Sequence, residues 1–201
     1  MTSLHLSPDV DVYICYVHLD DIALVEGRPG WVRNFSRALE IRLSQLLERP
    51  ATVSMSPATV DDEAKAERPL DAIRRAACLV AIVSPCFVKS DSARPELAEF
   101  LSAAGQHGGI MVGTRSRLFK VLKTPVASEA LPPTLQPLLA YEFFRIDPDS
   151  GKVREFDELF GPESHQEFWL RLDDLAHDIA SLVQEYRESG SIRAAEFRPH
   201  G

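Results

Sequence analysis

At 201 residues, 45% of them hydrophobic and 26% charged, the chain has the make-up of one ordinary globular domain, which excludes disordered and fibrous classes. Its formal charge of -8 comes from carboxylates spread along the chain, leaving no basic stripe that could gain affinity from a phosphate backbone, so nucleic acid is excluded as a direct partner. No apolar run reaches the roughly 18 residues a membrane span requires, and the opening "MTSLHLSPDV" lacks the basic start and apolar core of a secretion signal; the expectation is a cytoplasmic protein with no membrane partner.

In chain order, Val10 to Val17 is the first strand, rich in β-branched and aromatic residues and followed by the polar loop His18-Leu-Asp-Asp21. After Arg28-Pro-Gly30 comes an amphipathic helix with Trp31, Phe35, Leu39, Leu43, Leu46 and Leu47 near helical spacing, ended by Pro50. A short strand, Ala51 to Met55, precedes a polar helix around Asp61 to Ala77 that Pro69 delays or interrupts. Cys78 to Val83 is apolar at consecutive positions, as in a parallel strand covered on both faces. A helix through Glu96 to about Ala104, a Gly-rich turn at Gly105 to Gly109 and a strand at Arg117 to Lys123 follow. The Pro-rich "LPPTLQP" leads to a last strand, Ala140 to Ile146, and "KVREF" reads as a short arm or hairpin. The closing helix carries Phe168, Leu172, Leu175, Ile179, Leu182, Val183 and Tyr186 on one stripe.

Strands alternating with helices predict an α/β, flavodoxin-like three-layer sandwich with a mostly parallel five-stranded sheet. The expected organisation is a lead at 1–9, a single domain at 10–188 and a flexible tail at 189–201. Ligands of such folds collect at the carboxyl ends of the strands near the switch point, where the loops Tyr16 to Asp21 and Ser84 to Glu96 are expected to meet. Tyr16 and His18, closing the first strand, and Ser84, closing the third, are therefore candidate substrate-binding residues. Cys15, Cys78 and Cys86 show no C-x-x-C pair or His spacing and read as buried thiols, with no metal site expected. Trp31, Phe35 and Trp169 read as core rather than as a base-stacking set. Neither G-x-G-x-x-G nor a Gly-Lys-Ser/Thr loop is present, which excludes a Rossmann dehydrogenase and a P-loop nucleotidase. A phosphoacceptor receiver domain would want paired acids before the first strand, where "SPDVD" offers only Asp9 and Asp11.

"DVYICYVHLDD", Asp11 to Asp21, resembles the opening box of Toll/interleukin-1 receptor (TIR) domains, with Cys15 in place of its serine. "LVAIVSPCFVKSDSARPELAEF", Leu79 to Phe100, is similar to the family's apolar strand, Ser-Pro turn and Glu-Leu helix start, with Ser92 and Ala93 in place of its Trp-Cys. "RLFKVLKTPV", "YEFFRIDPDSGKVREF" and "FWLRLDDLAHDI" resemble the carboxyl-terminal half of bacterial members, so the likeness spans about 10 to 186.

The resemblance implies a domain that hydrolyses or cyclises NAD+ at the nicotinamide glycosidic bond, or one that nucleates signalling by homotypic packing; bacterial members often act in anti-phage defence. It maps the family's catalytic glutamate to Glu96, with NAD+ as substrate, no cofactor, and other TIR domains or an upstream sensor protein as partners. Such cleavage passes through an oxocarbenium-like state that a carboxylate can stabilise. A first-turn Glu is equally favoured by the helix dipole without any chemistry. Glu99, one turn on, is expected to point to solvent or the sheet edge. The segment Val53 to Asp62 carries neither the aromatic nor the glycine of the family's loop, which together with Ser92 and Ala93 motivates the alternative of a non-catalytic interaction domain.

Overall fold

The structure, a computed structural model, describes residues 9–55, 69–91 and 93–196. In chain order it comprises β1 (Val10–Cys15), α1 (Trp31–Leu46), β2 (Val53–Met55), α2 (Pro69–Arg75), β3 (Ala76–Val83), α3 (Pro85–Lys89) and α4 (Ala93–Gln106). A hairpin of β4 (Met111–Val112) and β5 (Arg115–Ser116) follows, then β6 (Leu118–Leu122), β7 (Ala140–Glu142), a hairpin of β8 (Phe144–Ile146) and β9 (Val153–Glu155), and α5 (Pro162–Glu196). Most of the loop Ser54 to Asp62, and Ser92, lie outside the described residues.

Five strands form one all-parallel sheet in the order β2-β1-β3-β6-β7, the flavodoxin-like arrangement expected from alternating strands and helices. Because successive strand residues face opposite sides, β1 and β3 feed two cores. Val12, Ile14, Cys78, Val80 and Ile82 pack under α1 and α5; Tyr13, Cys15, Leu79, Ala81 and Val83 pack under α2 and α4. On the α1 side Trp31 stacks on Phe35 at 5.3 Å between centroids, and Phe143 and Phe168 meet both rings edge-on.

Two buried charges tie elements together at the other end of the sheet. Asp11, 1% exposed, accepts from Arg49 Nη1 and Nη2 at 2.9 and 2.7 Å, from Arg187 Nη2 at 3.1 Å and from the Thr52 amide at 2.9 Å, joining β1, the approach to β2, and α5. Arg117, also buried, donates to the carbonyls of Ala76, Ala77 and Gly109 at 2.7 to 2.9 Å. Its guanidinium lies 4.5 Å from the Tyr186 ring centroid and 5.3 Å from that of Phe100, linking α4, β3 and α5.

Several sequence expectations change. The stretch Ala140 to Ile146 is two strands, because the backbone switches partner at fully buried Phe143: its N–H bonds Leu122 O at 2.8 Å, and its carbonyl accepts from Phe156 N at 2.7 Å. "KVREF" supplies β9, the other half of the resulting hairpin. Cys86 is exposed rather than buried, since it occupies the outer face of the short α3. Trp169 is 42% exposed; it lies one residue off the Phe168–Leu172–Leu175 stripe and donates its N–H to His165 Nε2 at 2.7 Å. α5 continues to Glu196 through Gly190, a residue that weakens a helix interior by about 1 kcal/mol without forbidding it. Glu99 pairs with Arg74 of α2 at 2.6 Å.

Candidate active site

Glu96 sits in the first turn of α4 over the carboxyl end of β1, with Pro95 beside it at a helix start where a missing N–H costs little. Directly beneath lies Cys15, whose fully buried thiol donates to the Ala93 carbonyl at 3.7 Å close to the Glu96 charge. Burial first, and then the Glu96 charge, hold the Cys15 thiol well above its ordinary range, so it is a neutral S–H donor rather than a thiolate. The half-buried Glu96 carboxylate thus sits near a neutral thiol and is favoured by the α4 dipole.

Across the strand ends, Ser84 caps α3, its hydroxyl accepting from the Cys86 and Phe87 amides at 3.1 Å each. The same hydroxyl donates to Asp20 Oδ2 at 2.7 Å, which fastens the 3-10 turn His18–Asp21 to the end of β3. Asp20 is 7% exposed; burial raises its carboxyl above the usual range, and the Ser84 bond and the Lys123 charge offset only part of that. Lys123, at the end of β6, ion-pairs with Glu155 of β9 at 2.9 Å. Asp21, next to Asp20 in the chain, faces α1 instead, accepting from the Arg33 amide at 2.9 Å and pairing with the Arg33 guanidinium at 3.1 Å. The turn lies so close over the start of α1 that a Cβ on Gly30 would collide with the Asp21 carbonyl.

The two predicted loops therefore meet at the strand ends through Ser84 and Asp20, while Glu96 lies over Cys15 at the end of β1. Tyr16 does not face Glu96: one residue beyond Cys15, it turns to the α1 side and is 5% exposed in that core. His18 opens the 3-10 turn with its side chain exposed. An open cleft of about 260 Å3 lies over the strand ends, bounded by Asp20, Trp31, Lys123 and Glu155, with the loop Leu19 to Pro29 on one wall and Val153 to Phe160 on the other. Glu96 is not part of its lining. A second, apolar groove of about 410 Å3 runs between α3, α4 and Ala130 to Pro133, bounded by Ala93 and Leu97 on either side of Glu96 in the chain.

Asp20, Lys123 and Glu155 were not singled out from the sequence. The available signal was an ionisable residue at the carboxyl end of an apolar strand, as in Leu118 to Lys123, and the double acid of "HLDD". Among the described residues no group of three or more His, Cys, Asp or Glu is arranged to hold a metal ion, and no helix is long and apolar enough to cross a membrane. No protein-family model matches the chain, and no curated protein sequence matches it either.

Proposed function

We propose that the chain is a TIR-type immune effector domain that cleaves the nicotinamide glycosidic bond of NAD+ with Glu96 as its catalytic carboxylate. One observation carries the reading: Glu96 stands half-buried in the first turn of α4 over the carboxyl end of β1, close to the Cys15 thiol, where parallel α/β sheets place their ligands. The resemblance of Asp11 to Asp21 and of Leu79 to Phe100 to TIR boxes supplies the reaction class.

In this reading the bond between ribose C1′ and the pyridinium nitrogen breaks with its electron pair going to nitrogen, so nicotinamide leaves neutral and needs no acid. Positive charge develops on the ribose, and the Glu96 carboxylate stabilises it and accepts from a ribose hydroxyl. Attack by water, whose proton passes to solvent, gives ADP-ribose; attack by a nucleophile within the substrate gives a cyclised product. A substrate contact from His18 completes the proposal, in a cytoplasmic, bacterial anti-phage setting with other TIR domains as partners; Ser84, buried and with its hydroxyl saturated by Asp20 and the α3 cap, positions the turn instead of touching substrate.

A second reading, a non-catalytic domain acting through homotypic TIR assembly, is favoured by Tyr16, which is turned into the α1 core instead of toward Glu96. Nicotinamide release from NAD+, measured dilute and with a crowding agent, separates the two. The enzyme reading expects turnover that Glu96→Gln lowers at least about a hundredfold, by loss of transition-state charge stabilisation. A folded protein that releases no nicotinamide under either condition overturns it.

A further inference from the structure

The 260 Å3 cleft over the strand ends is distinct from the Glu96 position, and its charges are unequal. Each of its two cations has a partner within the chain: Lys123 pairs with Glu155 at 2.9 Å, and Arg28 with Glu158 at 2.7 Å across the opening. Two carboxylates remain. Asp157 accepts from the Leu159 amide at 2.8 Å, and Asp20 from the Ser84 hydroxyl at 2.7 Å, both neutral donors. A carboxylate offers about four lone-pair sites, so the Ser84 bond leaves Asp20 with acceptor capacity. A buried carboxylate that keeps its charge favours a cation beside it, and Lys123, already paired, offsets only part of Asp20's burial.

The rim is apolar. Leu19 is 64% exposed, Leu24 72% and Phe160 51%, and Ile22, Val25 and Leu159 stand open around them. Apolar walls around a few placed polar groups are the usual make-up of a small-molecule site. The cleft's volume lies just under the range for drug-sized ligands and suits a molecule of roughly a dozen heavy atoms.

We propose that this cleft binds a small organic cation, an ammonium group carried on an apolar body, with the ammonium at Asp20 and the body against the Leu24 and Phe160 rim. The inference is independent of Glu96 and of NAD+. Isotope-labelled protein is titrated at low salt with 2-phenylethylamine and with its neutral counterpart 2-phenylethanol, following backbone amide shifts. The amine is expected to shift the amides of Asp20, Ile22, Leu24 and Leu159 saturably and to bind about tenfold more tightly than the alcohol, since hydrogen bonds to charged groups are the stronger ones. Asp20→Asn is expected to remove most of that preference. Leu24→Lys, at an exposed rim position where folding is not at stake, weakens the amine alone by repulsion. Equal binding of amine and alcohol, shifts elsewhere on the domain, no saturable shift with either probe, or amine binding unchanged in both variants would overturn the proposal.

Discussion

Replacing Asp11 by alanine tests whether the buried ion cluster, rather than the sheet alone, holds α5 to the first strand. The substitution removes the acceptor for three guanidinium N–H groups and for the Thr52 amide. Breaking a buried pair by deleting one partner costs about 3–5 kcal/mol. Here Arg49 and Arg187 keep 29% and 39% of their side-chain surface in water, so they rehydrate in part. The expected loss is therefore about 2–3 kcal/mol. For a domain of this size that lowers the melting temperature by roughly 5–10 °C, and the urea midpoint falls at unchanged slope. The effect carries a pH signature. Burial alone would raise the Asp11 carboxyl, but Arg49, the Thr52 amide and Arg187 together hold it below its ordinary value of 3.8. A carboxyl depressed in the folded state contributes stability that is fully present above its unfolded value, about 3.9, and lost as pH falls through the folded one. The gap between wild type and Asp11→Ala is thus constant near neutrality and narrows below about pH 3.9. A loss under about 0.5 kcal/mol, or a gap independent of pH down to the acid transition, refutes the reasoning.

Asp20 should behave in the opposite sense. Its folded-state carboxyl is raised, chiefly by burial, so the charged form destabilises the fold near neutrality and protonation relieves this as pH falls through the folded value. Asp20→Asn keeps an acceptor for Ser84 and should leave stability at pH 7 unchanged or raise it, a gain that fades in thermal melts as pH falls through the folded-state value. Ser84→Ala removes the cap of α3 and the tie to Asp20, and chemical denaturation should show a loss of about 1–2 kcal/mol. Arg117→Met leaves the carbonyls of Ala76, Ala77 and Gly109 without that donor; a loss of about 2–4 kcal/mol is expected, and Arg117→Lys, which cannot present a planar fork to three acceptors, should not restore it. Gly30→Ala forces the turn at Asp21 away from α1 and should cost about 1–3 kcal/mol, with amide shifts concentrated in residues 18–33.

The residues that order the sheet are legible from pattern alone. The unbroken apolar run from Cys78 to Val83 dictates a strand covered on both faces, and the helical spacing of Trp31, Phe35, Leu39 and Leu43 dictates which side of α1 turns inward, because burial of apolar area dominates both choices. The position of Glu96 at a helix start also follows from its neighbours, Pro95 and the preceding Ser-Pro turn. Chain pattern does not determine which side chains meet across elements. Tyr16 and Cys15 are adjacent in sequence, yet the pleat sends them to opposite cores, and only Cys15 lies under the α4 start that carries Glu96. The pairings of Asp20 with Ser84, 64 residues apart, and of Lys123 with Glu155 depend on strand order, loop path and the switch of partner at Phe143. Sequence by itself determined the layered α/β fold, through the periodicity of apolar burial. The placement of charge over the strand ends was decided only by tertiary structure, because electrostatic contacts are set by distances in space that no local pattern encodes.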